Sequence, residues 1–264
     1  MKITESKITM NQNKPFRLIT IPVSHYCEKV RWALTRMKFN FVEEAHTPPF
    51  HLLATVPIGG KTTPVLVSEE GIFKDSTDIL KYLDSIAPAS AKLYPVEPEL
   101  RQKVEELSNL FDTQLGVATR RWGYSYVKDD YQSLKRAWCQ NVPFIERSLF
   151  PLAFPIMQKI LPSKFDLTPE SSVEAYEQIK RIFQQVSELL ADGRTYLVGD
   201  KFSAADLTFA ALAVPAIQPP EHPITRRPLK KFPAKMTSEI TTFRETPAGA
   251  YALRLYRTER VNVF

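Results

Sequence analysis

From Phe16 onward the chain alternates short apolar runs with stretches of helical periodicity. "FRLITIPV" reads as a strand, being short, apolar and rich in β-branched residues. Cys27–Met37 then places Val30, Ala33, Leu34 and Met37 at helical spacing. "FNFVEEA" is a second strand, followed by a loop that carries "TPPF" and "PIGGK". "TTPVLVSEEGIFK" holds two apolar runs on either side of Glu70-Gly71, the pattern of a hairpin. Asp75–Ile86 closes the series as a helix with Ile79, Leu80, Tyr82, Leu83 and Ile86 on its apolar face. The order βαβ, hairpin, α makes a compact α/β unit of about 80 residues.

"APASAKLYPVEP", Ala87–Pro98, has prolines and small residues without periodicity and reads as a linker. Beyond it the pattern is helical almost throughout. The predicted helices are Pro98–Val117, Asp129–Asn141, Ser171–Leu190, Ser203–Ala213, Pro233–Arg244 and Pro247–Arg260. Pro143, Pro151, Pro155 and Pro162 interrupt the apolar stretch Val142–Leu161, which predicts short bent helices there. "SAAD" at Ser203–Asp206 has the form of a capping box with Asp206 in place of the usual Glu. The expected organisation is a disordered extension over 1–15, an α/β domain over 16–87, a linker over 88–97 and an all-helical domain over 98–264. No internal repeat or low-complexity tract stands out.

Composition narrows the function classes. The two cysteines, Cys27 and Cys139, supply neither a disulfide framework nor a metal cluster. His25, His46, His51 and His222 show no metal-ligand spacing, so no metal is expected. The polar start "MKITESKITMNQNK" lacks the apolar core of a secretory signal. No window is apolar enough to span a membrane, and a cytoplasmic location is the expectation. The net charge of +6 comes from 35 basic and 29 acidic residues spread along the chain. The densest basic cluster, "RRPLKKF" at Arg226–Phe232, reads as a solvated loop, so no nucleic-acid partner is expected. A small anionic ligand suits the charge equally well.

"PVSHYCEKVRWAL", Pro22–Leu34, carries the most chemistry. Ser24 and Cys27 are three apart at the junction of the first strand and first helix. That end of a helix exposes unpaired N–H groups and favours negative charge. In dithiol oxidoreductases the first cysteine of a CxxC pair occupies this place. A serine there cannot form a disulfide, which excludes two-cysteine exchange within the motif and leaves a hydroxyl donor at a site built to hold a thiolate, pointing to a sulfur supplied by a ligand. Thr63-Pro64 opens a strand with a proline, and a cis bond there would turn the Thr63 backbone toward a peptide-like ligand. Asp75-Ser76 at the next helix start reads either as an N-cap or as a grip on a ligand carboxylate.

Together Ser24-x-x-Cys27-x-Lys29-Val30-Arg31, Thr63-Pro64-Val65-Leu66, Asp75-Ser76 and "YLVGDKFSAADLTFAAL" resemble the cytosolic glutathione transferase family. The resemblance runs from about Phe16 to Arg260. It implies a thioredoxin-like α/β N-terminal domain, an all-α C-terminal domain, a substrate cleft between them and a homodimer. It makes glutathione the cosubstrate and a small hydrophobic electrophile its partner. Ser24 matches the catalytic serine of the serine-type classes. Thr63 and Pro64 match the residue that pairs with the cysteinyl backbone and the family's cis-proline. Asp75 and Ser76 match the grip on the γ-glutamyl end, and Lys61 and His46 lie where related classes hold the glycine carboxylate. "GDKFSAAD" matches a structural capping motif.

Three departures stand out. His25 follows the serine where many members have proline, Asp75 replaces Glu, and the region Tyr131–Pro169 exceeds the usual length. No class is assigned. "TRRWGYSYV" supplies candidate electrophile contacts in Arg120, Arg121, Trp122 and Tyr124, with His25 facing them; aromatic packing is the other reading of that stretch. Cys27 and Cys139 are expected to be buried packing residues. The leading function is transfer of glutathione to an electrophile in detoxification. A non-catalytic binding or complex-assembly module, and a glutathione-dependent isomerase or dehalogenase, are the alternatives.

Overall fold

The computed structural model describes residues 14–224 and 227–260. The expected extension therefore lies, through residue 13, outside the described residues, as does Arg226 of the basic cluster. The α/β half comprises β1 (Phe16–Thr20), α1 (His25–Arg36), β2 (Phe41–Ala45), α2 (His51–Thr55), β3 (Val65–Val67), β4 (Ile72–Phe73) and α3 (Ser76–Ile86). The sheet order is β2-β1-β3-β4. β1 pairs parallel with β2 and antiparallel with β3, and β3 pairs antiparallel with β4. This is the predicted βαβ-hairpin-α order. The short α2 was not foreseen, because five residues are too few to show a helical period.

The second half contains α4 (Pro98–Leu110), a π-helical turn (Phe111–Leu115), α5 (Gly116–Val127), α6 (Tyr131–Trp138), α7 (Phe144–Phe165), α8 (Pro169–Leu189), α9 (Ala204–Ile217), α10 (Ala234–Glu245) and α11 (Pro247–Thr258). α4, the π turn and α5 follow one another without a break, so "TRRWGYSYV" is helix and not a segment after one. α9 is apolar all round and is buried accordingly, between α1 and the other helices. The Asp206 carboxylate of its capping box accepts from the Ser203 N–H at 2.7 Å and from the Leu197 N–H at 2.7 Å. The main core runs through both halves: Leu18, Val30 and Leu66 join one cluster with Phe111, Phe183 and Phe209.

α7 differs from expectation. It is one helix of 22 residues that carries Pro151, Pro155 and Pro162 inside it. The prolines are four and then seven residues apart, which sets them on a single side of the helix. Pro151 and Pro155 are exposed, so the carbonyls that lose an N–H partner there are open to water. A different side, about 110° round the helix from them, buries Phe150, Phe154, Met157 and Leu161 in a second, smaller core with Leu134 and Trp138 of α6. A one-sided set of prolines leaves the buried face continuous.

Candidate functional site at the junction of the two halves

Chain reversal after β1 sets the site. The Ser24 N–H donates to the Ile21 carbonyl at 3.1 Å, closing a turn that delivers Ser24 to the N-cap of α1. The Ser24 Oγ accepts the Cys27 N–H at 3.3 Å, as a cap residue should. That bond uses a lone pair of the oxygen and not the hydroxyl proton, and the same hydroxyl lies within hydrogen-bond reach of the Cys27 thiol. Cys27 is fully buried and burial pushes its thiol upward, so it stays protonated and acts as a packing residue. The Tyr26 hydroxyl donates to the Asp112 carbonyl at 2.7 Å. Burial, with Asp112 and Asp75 adding and Arg120 opposing, pushes it to about 12, which excludes a phenolate.

A cavity of about 220 Å³, lined mostly by apolar surface, opens beside these residues. Ser24, His25 and Thr63 contribute from the α/β half, and Arg120, Tyr124 and Phe165 from the helical half. The Tyr124 ring stacks on Phe165 with centroids 5.2 Å apart. The Trp138 Nε1–H donates to the Tyr124 Oη at 3.2 Å and fixes that ring's tilt. The Arg120 guanidinium lies 4.7 Å from the Phe165 ring centroid and 5.7 Å from that of Tyr26. Arg136, Lys164 and Arg227 also line the cavity, and among the described residues no carboxylate does. The arrangement joins a hydroxyl donor at a helix N-terminus to an aromatic, cationic chamber. Among the described residues no cluster of three or more metal-ligating side chains occurs.

Two family models match this chain: "Glutathione S-transferase, N-terminal domain" over residues 18–91, and "Glutathione S-transferase, C-terminal domain" over residues 152–238. The chain belongs to the glutathione transferase family. Solved transferase structures share the fold. The glutathione S-transferase CsGST63524 of Ceriporiopsis subvermispora, solved with glutathione, is 17% identical over 95% of this chain and 99% of its own, with a TM-score of 0.62. The beta-etherase LigF from Sphingobium sp. strain SYK-6 is 19% identical over 91% and 99%, with a TM-score of 0.57. Ure2p5 from Phanerochaete chrysosporium, cocrystallized with 1-(S-glutathionyl)-2,4-dinitrobenzene, is 16% identical over 92% and 95%, with a TM-score of 0.55. At these identities the likeness is one of fold alone. No curated protein matches the chain by sequence.

The glutathione transferase fold distributes the expected residues unevenly. Ser24, His25, Thr63, Arg120 and Tyr124 come together at the cavity. His25 is buried, with Nε2 2.9 Å from the Gly116 carbonyl. The Thr63–Pro64 bond is cis, and Pro64 is buried at the start of β3. Asp75 caps α3, its Oδ1 accepting the Thr77 N–H at 2.8 Å and the Asp78 N–H at 3.3 Å, and Ser76 is buried in the first turn. Lys61 is exposed.

Three expectations fail on geometry. Trp122 is core: it is 1% exposed, lies edge-on to Phe243, and its Nε1–H donates to Glu239 at 2.7 Å. On α5 it projects to the side opposite Tyr124, two residues and about 200° away. Arg121 turns toward Asp166, with Nη2 at 3.2 Å from its carboxylate, and donates to the Phe165 carbonyl. His46 pairs with Glu146 of α7, Nδ1 to Oε1 at 2.6 Å, and its Nε2 is buried, so neither nitrogen is open to a glycine carboxylate.

Lys29, quoted in the α1 motif, does not line the cavity but buries its ammonium behind it against Asp112 of the π turn and Thr77 of α3. Other residues of the site had no signal in the pattern. His51 and Lys164 reach the cavity from α2 and the end of α7. Gly116 is a special case, because a Cβ there would stand 2.4 Å from the Tyr26 hydroxyl. A glycine at that helix position could have been read as a close approach.

Proposed function

We propose that this protein transfers glutathione to a small hydrophobic electrophile, with Ser24 stabilising the glutathione thiolate. One observation carries the reading: Ser24 caps α1 through its oxygen and lines a largely apolar cavity with its hydroxyl at the helix N-terminus. A free thiol near pKa 8.5 is only a few per cent ionised at neutral pH. A hydroxyl donor together with a helix N-terminus favours the anion. Lowering the thiol pKa by one or two units corresponds to about 1.4–2.8 kcal/mol and multiplies the reactive fraction roughly tenfold or more.

In this reading residues 16–87 hold glutathione and residues 98–264 hold the electrophile. The Thr63 backbone pairs with the cysteinyl unit, Asp75 and Ser76 hold the γ-glutamyl end, and Lys61 meets the glycine carboxylate. The electrophile lies against Tyr124 and Phe165, whose stacked rings suit a flat apolar group. The family resemblance extends the proposal to a cytoplasmic homodimer with a role in detoxification. The glutathione complex of the Ceriporiopsis structure supports glutathione as the cosubstrate.

The test is retention on immobilised glutathione followed by conjugation of a generic aromatic halide. Ser24→Ala is expected to keep the fold and the retention but to lower conjugation tenfold or more, as loss of a charge-assisted hydrogen bond of about 1.5–3 kcal/mol requires. Full activity in Ser24→Ala overturns the donor role. Retention without any conjugation by the native protein identifies the non-catalytic binding module.

A further inference from the structure

α7 is apolar on the side it buries and on the side it does not. Phe144, Ile145, Leu152 and Ile156 are 75%, 66%, 72% and 55% exposed, and Leu149 and Ile160 continue the same stripe. At 100° per residue these six, with Pro151 and Pro155, cover about half of the helix circumference. Soluble monomers leave apolar patches of only a few hundred Å² uncovered, and usually for a purpose. The helix is about 33 Å long, so the stripe is an extended ridge.

The charges on this helix are one-sided. Arg147, Lys159 and Lys164 are its exposed ionisable residues, and its one acid, Glu146, is buried against His46. We propose that the outer face of α7 docks on an anionic lipid surface, with the helix lying in the plane of the interface. Exposed apolar residues on a helix whose own exposed charges are all cations match a negatively charged bilayer surface, with Asp129 beside Gln158 the acid at the edge of the stripe. A second copy of this ridge would bring Arg147, Lys159 and Lys164 of two chains together with no acid on the exposed face of either α7 to offset them. No helix of the described residues is long and apolar enough to cross a membrane, so the attachment is peripheral. The same helix ends in Lys164 and Phe165 on the cavity, which sets the chamber beside the docking face.

The full-length protein would be sedimented with vesicles of phosphatidylcholine, and with vesicles of phosphatidylcholine mixed with phosphatidylserine. Pelleting with the anionic vesicles is expected, weakening as salt rises. The doubly substituted Leu152→Glu, Ile156→Glu protein, whose changed side chains touch no core, should fold normally by circular dichroism and bind roughly tenfold more weakly. Lys159→Glu should reduce binding to anionic vesicles while leaving the residual binding to neutral ones unchanged. The proposal is overturned if the native protein stays in the supernatant with both vesicle types, or if the double variant binds as well as the native protein. It is equally overturned if light scattering shows a native dimer that the double variant breaks, which would assign the ridge to a second copy.

Discussion

Lys29 and Asp112 form a buried ion pair that ties the two halves of the molecule together. The Lys29 Nζ lies 2.8 Å from Asp112 Oδ1 and 2.7 Å from Oδ2, and 2.9 Å from the Thr77 hydroxyl. Its side chain is 1% exposed, and that of Asp112 is 15% exposed. Burial alone would push the lysine to its neutral form, and the Asp112 carboxylate is the main opposing influence. Removing the acid leaves an uncompensated buried cation, so Asp112→Ala should lose about 3–5 kcal/mol of stability. Lys29→Met added to Asp112→Ala should recover much of that loss. Urea denaturation of the two variants decides it: an equal loss in both would mean that packing, not charge, sets the energy.

Trp122 should behave as a core residue. It sits between Phe243 and Tyr126, with its indole N–H committed to Glu239. Trp122→Ala should therefore cost about 3–5 kcal/mol in chemical denaturation. In the fraction that stays folded, the Michaelis constant for the electrophile should not change. Unaltered stability with a raised electrophile constant would return Trp122 to the cavity wall.

What the sequence revealed and what it hid follow from how local each signal is. β1, α1 and the β3–β4 hairpin were legible because period and turn chemistry act over a few residues. Ser24 was legible because a cap residue is fixed by its own helix. Trp122 and Tyr124 are only two apart on one helix, and no local rule decides which of them faces a cavity. That depends on where α10 and α7 pack, which is long-range information. The π turn at Phe111–Leu115 matters in the same way, because it advances the register that places Arg120 and Tyr124 on the cavity side. α7 was misread because the prolines were counted without noting that their spacing keeps them on one side.

Stability should depend on pH through His51. Its ring is buried, and burial first, then Lys164 and His46, hold it at about 4. The unfolded chain, with an ordinary histidine near 6.5, binds the proton more readily. The contribution of neutral His51 is thus complete above about pH 6.5 and is lost as pH falls toward 4. The whole span corresponds to about 3 kcal/mol. The urea midpoint of the native protein should fall more steeply between those limits than that of His51→Gln. Identical slopes in the two proteins would remove His51 as the cause.

Arg120 should set the charge preference of the electrophile. It is the cation of α5 that faces the cavity, lying near both the Tyr26 ring of the α/β half and the Phe165 ring of the helical half. Arg121 next to it is already occupied by Asp166, so the two arginines are not interchangeable. A carboxylate on an aromatic electrophile would gain a charge-assisted bond from Arg120, and a neutral analogue would gain none. Arg120→Met keeps the length of the side chain and removes its charge. The Michaelis constant for a carboxylate-bearing aromatic electrophile should rise about tenfold, equivalent to about 1.4 kcal/mol. The constant for its neutral counterpart should change little, and that for glutathione should hold because Ser24 and Thr63 sit on the other wall. Initial rates with the matched pair of substrates test this directly. A parallel rise for both electrophiles would show that Arg120 shapes the chamber and does not read charge.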